Sequence, residues 1–271
     1  MCYNLFTQDR KAAKMGKIFA VVNQKGGVGK TTTCVNVCCA LHKAGRRVLL
    51  CDADPQGNAT SAMGLDKNTI AAGTYAALTG TIPPEEAVYE TPYGDVMPSN
   101  RQLAGAGIEL VAVENREFVL RGVLDAIRDE YDYILIDCPP SLEMLTLNAI
   151  CAADSVLIPV QCEYLALEGL SDLVGTMRIV RRSYNHTLEI EGVILTMFDG
   201  RTNLSFEVAE EVKKYFKEKV YRTAIPRNVR LSESPSHGKP VIAYDPSSRG
   251  SHAYLDLAEE IMTRSERKGN R

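Results

Sequence analysis

The segment NQKGGVGKTTT, residues 23 to 33, has the composition of a loop that binds phosphate groups. The usual pattern of such a loop is a glycine, four free positions, and then Gly-Lys-Ser/Thr. Gly29, Lys30 and Thr31 supply the end of that pattern, but Gln24 stands where the first glycine is expected and a second lysine, Lys25, follows it. The segment therefore predicts a nucleotide site that carries one lysine more than an ordinary phosphate loop.

The other residue types in the loop also suit this chemistry. Glycines at positions 26, 27 and 29 let backbone N–H groups approach an anion at a helix N-terminus, because a side chain there would block the approach. In such a site Lys30 reaches the β- and γ-phosphates, and the Thr31 hydroxyl binds Mg²⁺. A glycine-rich turn without function is the alternative, and the predicted strand before the loop and helix after it favour the nucleotide site.

Acidic residues follow two of the apolar segments. Asp137 comes after YILI, the position of a Walker B acid that holds the metal through water. Asp52 and Asp54 end the run RRVLLCDAD, and their alternate spacing places both carboxylates on one side of an extended chain. We expect one of the two to be structural and the other to orient the attacking water, with solvation of a loop as the alternative.

The elements that position these residues follow from hydrophobic patterning. Apolar runs predict strands over residues 17–23, 46–54, 131–141, 154–162 and 188–198. Longer amphipathic segments between them predict helices over residues 31–45, 118–130 and 166–183, the first ending at Gly45. This alternation predicts an α/β fold: a single doubly wound domain with a mostly parallel sheet flanked by helices. Ligands of such sheets bind at the C-terminal ends of the strands, where the loop and the acids collect.

Length and composition limit the possible classes of protein. We expect one domain over residues 15–265, a disordered N-terminal extension over residues 1–14 and a flexible tail over residues 266–271. A net charge of -3 requires any DNA binding to come from a local basic patch. The absence of a long apolar run and of a signal sequence predicts a cytoplasmic protein.

The eight cysteines show no CxxC pair, and most lie in apolar segments, so we interpret them as small buried residues. Cys34 and Cys38 share one face of the first helix, but without further Cys or His ligands the sequence does not favour a metal or redox site.

Several motifs together resemble the ParA/Soj family of chromosome- and plasmid-partitioning ATPases, members of the deviant-Walker class of P-loop proteins. They are KGGVGKTTT, DADPQGNATS, IDCPPSL, PVQCEYLALEGL, FDGRTNLS and IPRNVRLSESPSHGKPVIAYDPSSRG, in that order, and the resemblance covers about residues 16 to 262. It implies slow ATP hydrolysis with Mg²⁺, an ATP-dependent homodimer, binding to double-stranded DNA without sequence specificity, and a ParB-like centromere-binding partner that stimulates hydrolysis. Chromosome and plasmid cargo both remain open.

The resemblance also assigns roles to individual residues. It implies that Lys25 reaches across a nucleotide-sandwich dimer to the phosphates held by the partner, as an arginine finger does. Asp54 corresponds to the acid that positions water, Thr31 to the Mg²⁺ ligand and Asp137 to the Walker B acid. The predicted catalytic residues are thus Lys25, Lys30 and Asp54, and the predicted metal site is Thr31, Asp54 and Asp137. The predicted nucleotide contacts are Lys25, Gly26, Gly27, Val28, Gly29, Lys30, Thr31, Thr32 and, for adenine, Pro226.

A local basic patch is present in residues 213–230, which hold seven Lys or Arg residues and one acid, Glu218. Its lysines at 213, 214 and 217 follow Glu210 and Glu211 on a helical run, so we interpret them as a solvated helix face. Arginines at turns and helix starts are better placed for phosphates. The predicted DNA contacts are Arg201, Arg227 and Arg230, of which the resemblance implies the first and the last.

Two other members of the class are alternatives. A membrane-positioning protein of the MinD type needs an amphipathic C-terminal helix, but the apolar residues of AYLDLAEEIMTRSERKGNR are interspersed with acids and predict core packing. A redox ATPase like the nitrogenase iron protein needs cluster-binding cysteines, and the spacing of Cys138, Cys151 and Cys162 does not match. We therefore expect no membrane binding and no cluster. No helix-turn-helix or zinc-finger spacing indicates a sequence-specific DNA-binding module.

Overall fold

The predicted strands form one parallel sheet at the centre of the protein. The computed structural model describes residues 15–163 and 166–269. Its strands are β1 (Lys17–Val21), β2 (Val48–Asp52), β3 (Asp95–Met97), β4 (Tyr133–Asp137), β5 (Ser155–Gln161) and β6 (Glu189–Thr196). They lie in the order β3-β2-β4-β1-β5-β6, and each neighbouring pair is parallel. The predicted α/β class with a parallel sheet is confirmed.

Helices cover both faces of this sheet, which explains why its strands are apolar on both sides. In β1, Ile18 and Ala20 pack into the core on one face, whereas Phe19 and Val21 pack into the core on the other. All four side chains are fully buried. The alternation follows from the two-residue period of a strand, and it makes β1 the axis around which the two cores are built.

The helices are α1 (Lys30–Lys43), α2 (Asn58–Ala62), α3 (Thr74–Leu78), α4 (Leu103–Glu109), α5 (Val119–Ile127), α6 (Met144–Ala152), α7 (Ala166–Ser183), α8 (Asn203–Phe216), α9 (Val229–Glu233), α10 (Val241–Tyr244) and α11 (Arg249–Gly269). The three predicted helices correspond to α1, α5 and α7. Helix α1 ends as its sequence indicates: Gly45 has φ 78 and donates its N–H to the His42 carbonyl.

The sequence analysis missed strand β3. A strand of three residues is too short to show a periodic pattern. Its extended conformation depends on pairing with β2 at the edge of the sheet. The predicted strands are also longer than the observed ones, because polar residues after each apolar run belong to the loops that build the site.

The structure describes the C-terminal end of the chain to residue 269, whereas its description of the N-terminal end begins at residue 15. Helix α11 continues to Gly269, so most of the segment predicted as a tail is helical. The apolar residues Leu257 and Ile261 of α11 are buried in the core beside α1, while Leu255 and Met262 pack against that core. The extension predicted over residues 1–14 lies outside the described residues. No helix in the described part of the chain combines the length and apolar character needed to cross a membrane.

Candidate nucleotide-binding site

The loop between β1 and α1 has the open backbone that phosphate binding requires. Gly27 and Gly29 adopt left-handed conformations, with φ of 75 and 90, which residues with a side chain rarely adopt. A Cβ atom added to Gly26 or Gly27 would meet no described atom within 4 Å. The loop therefore presents bare backbone toward open space at the C-terminal edge of the sheet.

Two side chains that the sequence analysis did not single out hold this loop in place. Asn23, which is buried, accepts a hydrogen bond from the Lys25 N–H (3.0 Å) and donates one to the Pro159 carbonyl (2.8 Å). The Thr196 hydroxyl donates to the Val28 carbonyl (2.8 Å). A polar residue at the end of an apolar strand was a signal for Asn23, whereas Thr196 lies 168 residues from Val28 and gave none.

The start of α1 is left free for an anion. Gly29 is its N-cap and provides no side chain to bond the first N–H groups, and the first turn contains no acid. Thr31 and Thr32 are half-buried there. Unsatisfied N–H groups and the positive end of the helix dipole together favour a phosphate at this point.

The two lysines of the loop differ in their surroundings. Lys30 is only 6% exposed, and its Nζ donates to the Lys25 carbonyl at 3.0 Å. Burial lowers the pKa of Lys30, and the nearby carboxylates of Asp137 and Asp54 partly oppose that shift. The half-buried Lys25 uses its backbone in these contacts, and its ammonium has no hydrogen bond or ion pair among the described residues. Lys30 is thus fixed inside the site, and the Lys25 ammonium is free to contact a group outside it.

Asp137, the last residue of β4, is fully buried next to this loop. Neither carboxylate oxygen has a hydrogen bond of normal geometry within the described residues. Burial raises the pKa of Asp137 well above its usual range, and the Asp52 carboxylate adds to the rise, while the Thr31 hydroxyl and Lys30 lower it. A buried carboxylate without hydrogen bonds needs an external cation or donor to become charged at low cost.

The structure separates the roles of Asp52 and Asp54. Both oxygens of the fully buried Asp52 are occupied: one accepts from the Asp54 N–H, and the other accepts from the N–H and hydroxyl of Thr60. Asp54 accepts one bond, from the Gln56 N–H, and is 8% exposed. Asp52 is therefore the structural carboxylate, and Asp54 keeps an oxygen that can face a ligand.

A magnesium ion fits this donor set. The described residues contain no group of three or more His, Cys, Asp or Glu side chains that could hold a metal without other ligands. Mg²⁺ keeps several waters and uses one or two protein oxygens together with substrate phosphates. The Thr31 hydroxyl and the unbonded Asp137 oxygens provide such oxygens beside the phosphate loop.

The segment predicted to contact adenine lies at the same edge of the sheet. Pro226 pairs in a parallel bridge with Phe198, two residues beyond the end of β6. The phosphate loop is bonded by Thr196, the last residue of β6, so Pro226 and the loop both lie near the end of this strand. The link between them is indirect, through the end of β6.

The predicted DNA-binding arginines are exposed, and each lies beside a carboxylate. Arg201 forms two hydrogen bonds to Asp199 (2.8 and 2.9 Å), and Arg227 lies 3.6 Å from Glu163. Arg230 contacts Glu233 (2.8 Å) and Asp245 (3.2 Å). The pKa of Asp199 is lowered, first by Arg201 and also by Arg227, which places both arginines around one acid.

Of the three lysines predicted to form a solvated helix face, Lys213 and Lys214 lie on α8, whereas the prediction is wrong for Lys217, which follows the end of the helix with φ 50. Lys213 pairs with Glu210 at 3.0 Å, and Lys214 pairs with Glu211, each one turn back on α8. These pairs leave the arginines as the better candidates for phosphate contacts.

The described cysteines support the interpretation as core residues. Seven are free and buried, namely Cys34, Cys38, Cys39, Cys51, Cys138, Cys151 and Cys162. Burial raises the pKa of each thiol, which keeps it protonated and unreactive.

Comparison with known proteins agrees with this geometry. Residues 16–190 match the family described as AAA domain. The sporulation initiation inhibitor protein Soj of Bacillus subtilis is 58% identical over 249 residues, which cover 91% of this chain and 98% of that protein. The chromosome partitioning protein ParA of Myxococcus xanthus is 52% identical over 265 residues, covering 97% of this chain and 94% of that protein.

A solved structure extends the likeness to the fold. The cobyrinic acid a,c-diamide synthase of Mycobacterium smegmatis, with bound ADP and magnesium, superimposes with a TM-score of 0.82 at 35% identity. The match covers 93% of this chain and 96% of that chain. A glycine loop between a central parallel strand and a helix, with an acid at the end of the neighbouring strand, defines a P-loop nucleotide-binding protein. Within that class, the chain belongs to the ParA/Soj family of chromosome-partitioning ATPases.

Proposed function

We propose that this chain is a slow, ATP-dependent partitioning ATPase whose ATP-bound dimer binds DNA without sequence specificity. The observation that carries the proposal is the contrast between its two loop lysines. Lys30 is buried and held inside the site, whereas the Lys25 ammonium on the same loop has no partner among the described residues. One lysine serves the nucleotide in its own subunit, and the other is available to a second subunit.

Nucleotide binding follows from the open loop. The backbone N–H groups of residues 26–32 surround the phosphates, and Lys30 exchanges its bond to the Lys25 carbonyl for a phosphate oxygen. Thr31 and Asp137 would hold Mg²⁺ at the loop, where the ion would neutralise phosphate charge. Pro226, which bridges to Phe198 just beyond the end of β6, contacts the adenine.

Dimerisation depends on ATP because of charge. Two subunits that face each other across their loops bring two Lys25 ammonium groups and two bound nucleotides together. The γ-phosphate supplies negative charge that each partner's lysine neutralises; after hydrolysis and loss of phosphate this attraction falls. The same contact stabilises charge on the transferring phosphoryl group.

Hydrolysis requires a positioned water molecule. Asp54 has a carboxylate oxygen that is not used in a described hydrogen bond, and its backbone is fixed because Ser99 donates to its carbonyl at 2.8 Å. Asp54 therefore orients the water toward the γ-phosphate, while Asp52 keeps the strand end rigid. A single such carboxylate supports slow turnover, which suits a switch that must persist in its ATP state.

DNA binding uses Arg201, Arg227 and Arg230. Their ion pairs join exposed guanidinium groups to half-buried carboxylates at the surface, and such pairs contribute little stability in water. DNA phosphates can therefore replace them, and a dimer doubles the number of contacts. A ParB-like partner bound at a centromere site stimulates hydrolysis and releases the DNA. This cycle operates in the cytoplasm, on the nucleoid.

Sedimentation of the full chain with ATP and Mg²⁺, with ADP and Mg²⁺, and without nucleotide tests the proposal. We expect a dimer with ATP only, and a longer-lived dimer in the Asp54→Ala variant. A protein that stays monomeric with ATP in both forms would contradict the proposed switch.

A further inference from the structure

Thr196 lies between the phosphate loop and the turn that follows β6. That turn leads along the chain to Arg201 and bonds the backbone of Arg227. Thr196 is the last residue of β6 and only 2% exposed. Its hydroxyl donates to the Val28 carbonyl at 2.8 Å, and a Cβ atom on Gly29 would lie 3.7 Å from its methyl group. One side chain of β6 therefore bonds the loop at Val28 and borders the space beside Gly29.

The chain beyond Thr196 leads directly to the arginines. Met197 has φ 51, a left-handed conformation that turns the chain sharply. Phe198 then donates its N–H to the Ile225 carbonyl (2.9 Å), and its own carbonyl accepts from the Arg227 N–H (3.1 Å). One residue further, Asp199 holds Arg201 by its backbone and its guanidinium.

Few bonds therefore separate the two sites. The path from Val28 runs through the Thr196 hydroxyl, across two residues of backbone, and through one hydrogen bond to the backbone of Arg227. Glu163, the acid beside Arg227, is on the same connection, because Cys162 donates its N–H to the Thr196 carbonyl at 3.1 Å. A shift of the Val28 carbonyl moves the end of β6, since this part of the protein is closely packed.

We propose that Thr196 is a positioning residue that couples the state of the nucleotide to the placement of Arg201 and Arg227. Phosphates that engage the N–H groups around Val28 reset its carbonyl, and the Thr196 hydroxyl carries that change to the turn at Met197. This inference rests on the proposed function, because it presumes DNA binding that depends on ATP.

A purely structural role for Thr196 makes a different prediction. If its hydroxyl only shaped the loop, its loss would weaken nucleotide binding and leave the ratio between DNA affinities with ATP and ADP unchanged. If it couples the two sites, the ratio falls even when both nucleotides are saturating. The ratio is therefore the informative quantity.

The experiment uses the full chain and its variants Thr196→Val, Thr196→Ala and Thr196→Ser. Valine keeps the volume of threonine without the hydroxyl, serine keeps the hydroxyl without the methyl group, and alanine is a second hydroxyl-free variant should the valine chain fail to fold. Each is titrated with a fluorescent ATP analogue, and then with a random-sequence DNA duplex in ATP and in ADP.

The titration with the analogue gives the nucleotide concentration that saturates each variant, and the DNA affinities of the hydroxyl-free variants are measured at that saturation. Their ratio of DNA affinities should fall by about fivefold or more, the effect of one typical hydrogen bond, and serine should restore it. An unchanged ratio in the hydroxyl-free variants, with an ATP-dependent unmodified chain, overturns the inference alone. An unmodified chain that binds DNA equally with ATP and ADP overturns the proposed function and this inference together.

Discussion

At the scale of single residues, the site is defined by which polar groups are already satisfied. Asp52 has both oxygens bonded, Asp54 has one, and Asp137 has none within the described residues. Lys30 is bonded inward, and the Lys25 ammonium is not. Unsatisfied groups near an open backbone loop are the ones that a nucleotide, a metal or a second subunit can use.

Replacement of Lys25 by alanine tests its use by a second subunit. We expect Lys25→Ala to bind the fluorescent ATP analogue within about threefold of the unmodified chain, because Lys30 and the loop backbone remain. The ATP-dependent dimer should be lost in sedimentation. Lys43→Ala, at the exposed C-terminal end of α1, is the matched control and should dimerise normally. A dimer that survives in Lys25→Ala would show that the lysine does not act across the interface.

Replacement of Asp54 separates its charge from its structural bond. Asparagine keeps an oxygen that can accept from the Gln56 N–H, whereas alanine removes it. We expect both Asp54→Asn and Asp54→Ala to reduce ATP turnover by about a hundredfold or more, the range for loss of a positioned base, and to prolong the dimer. Normal turnover in the asparagine variant would assign the water-positioning role to another residue.

Because the pKa of Asp52 is raised, we expect the free energy of unfolding to depend on pH. Burial raises its pKa from 3.8 to about 6, against the opposing hydrogen bonds from Thr60. A carboxyl whose pKa is higher in the folded than in the unfolded protein stabilises the fold while protonated, and that stability is lost as the pH rises through the folded pKa. Between about pH 4 and 7, the nucleotide-free protein should lose on the order of 2 to 3 kcal/mol from this group.

Urea unfolding at several pH values, compared with the Asp52→Asn variant, checks this dependence. An asparagine side chain cannot ionise, so the variant's unfolding free energy should change less over the same window, and the difference between the two curves reports Asp52 together with its effect on the pKa of Asp137. Parallel curves for the two proteins would mean that Asp52 does not titrate there.

At the scale of elements, the sequence predicts what depends on local pattern. The apolar runs and the glycine loop lead to the parallel sheet, to α1 and to the acids at the strand ends, because each is encoded by consecutive residues. Strand β3 and the bond between Thr196 and Val28 depend on partners distant in the chain and have no local signal. Two of the carboxylates beside the arginines also had no local signal, because Glu163 lies far from Arg227 along the chain and Asp245 lies far from Arg230.

Arg230 on α9 is one of the predicted DNA contacts, and its replacement tests DNA binding. Arg230→Glu should keep the ATP-dependent dimer and lower DNA affinity by about tenfold or more, because a phosphate contact becomes a repulsion. The control is Arg121→Glu on α5, an exposed arginine that also has a carboxylate partner on its own helix, Asp125. If both variants bind DNA as the unmodified chain does, the predicted arginine patch is not the DNA surface.

At the scale of the whole molecule, one sheet edge serves several purposes. The phosphate loop, the carboxylates at the ends of β2 and β4, and the end of β6 lie at this edge. The turn after β6 leads to Arg201 and bonds the backbone of Arg227. Helix α11 packs its apolar residues Leu257 and Ile261 onto the same core beside α1, which agrees with the core packing that its sequence pattern predicted. In the proposed function, the nucleotide site, the subunit contact and the DNA surface therefore share one framework.

The central claim is that ATP turns on DNA binding, and its most direct test is a titration with a random-sequence DNA duplex. Binding is measured with ATP, with ADP and without nucleotide, each over a series of salt concentrations. We expect tight binding with ATP alone, with an affinity that falls steeply as salt rises because several phosphates are contacted. Equal and weak binding in all three states would contradict it.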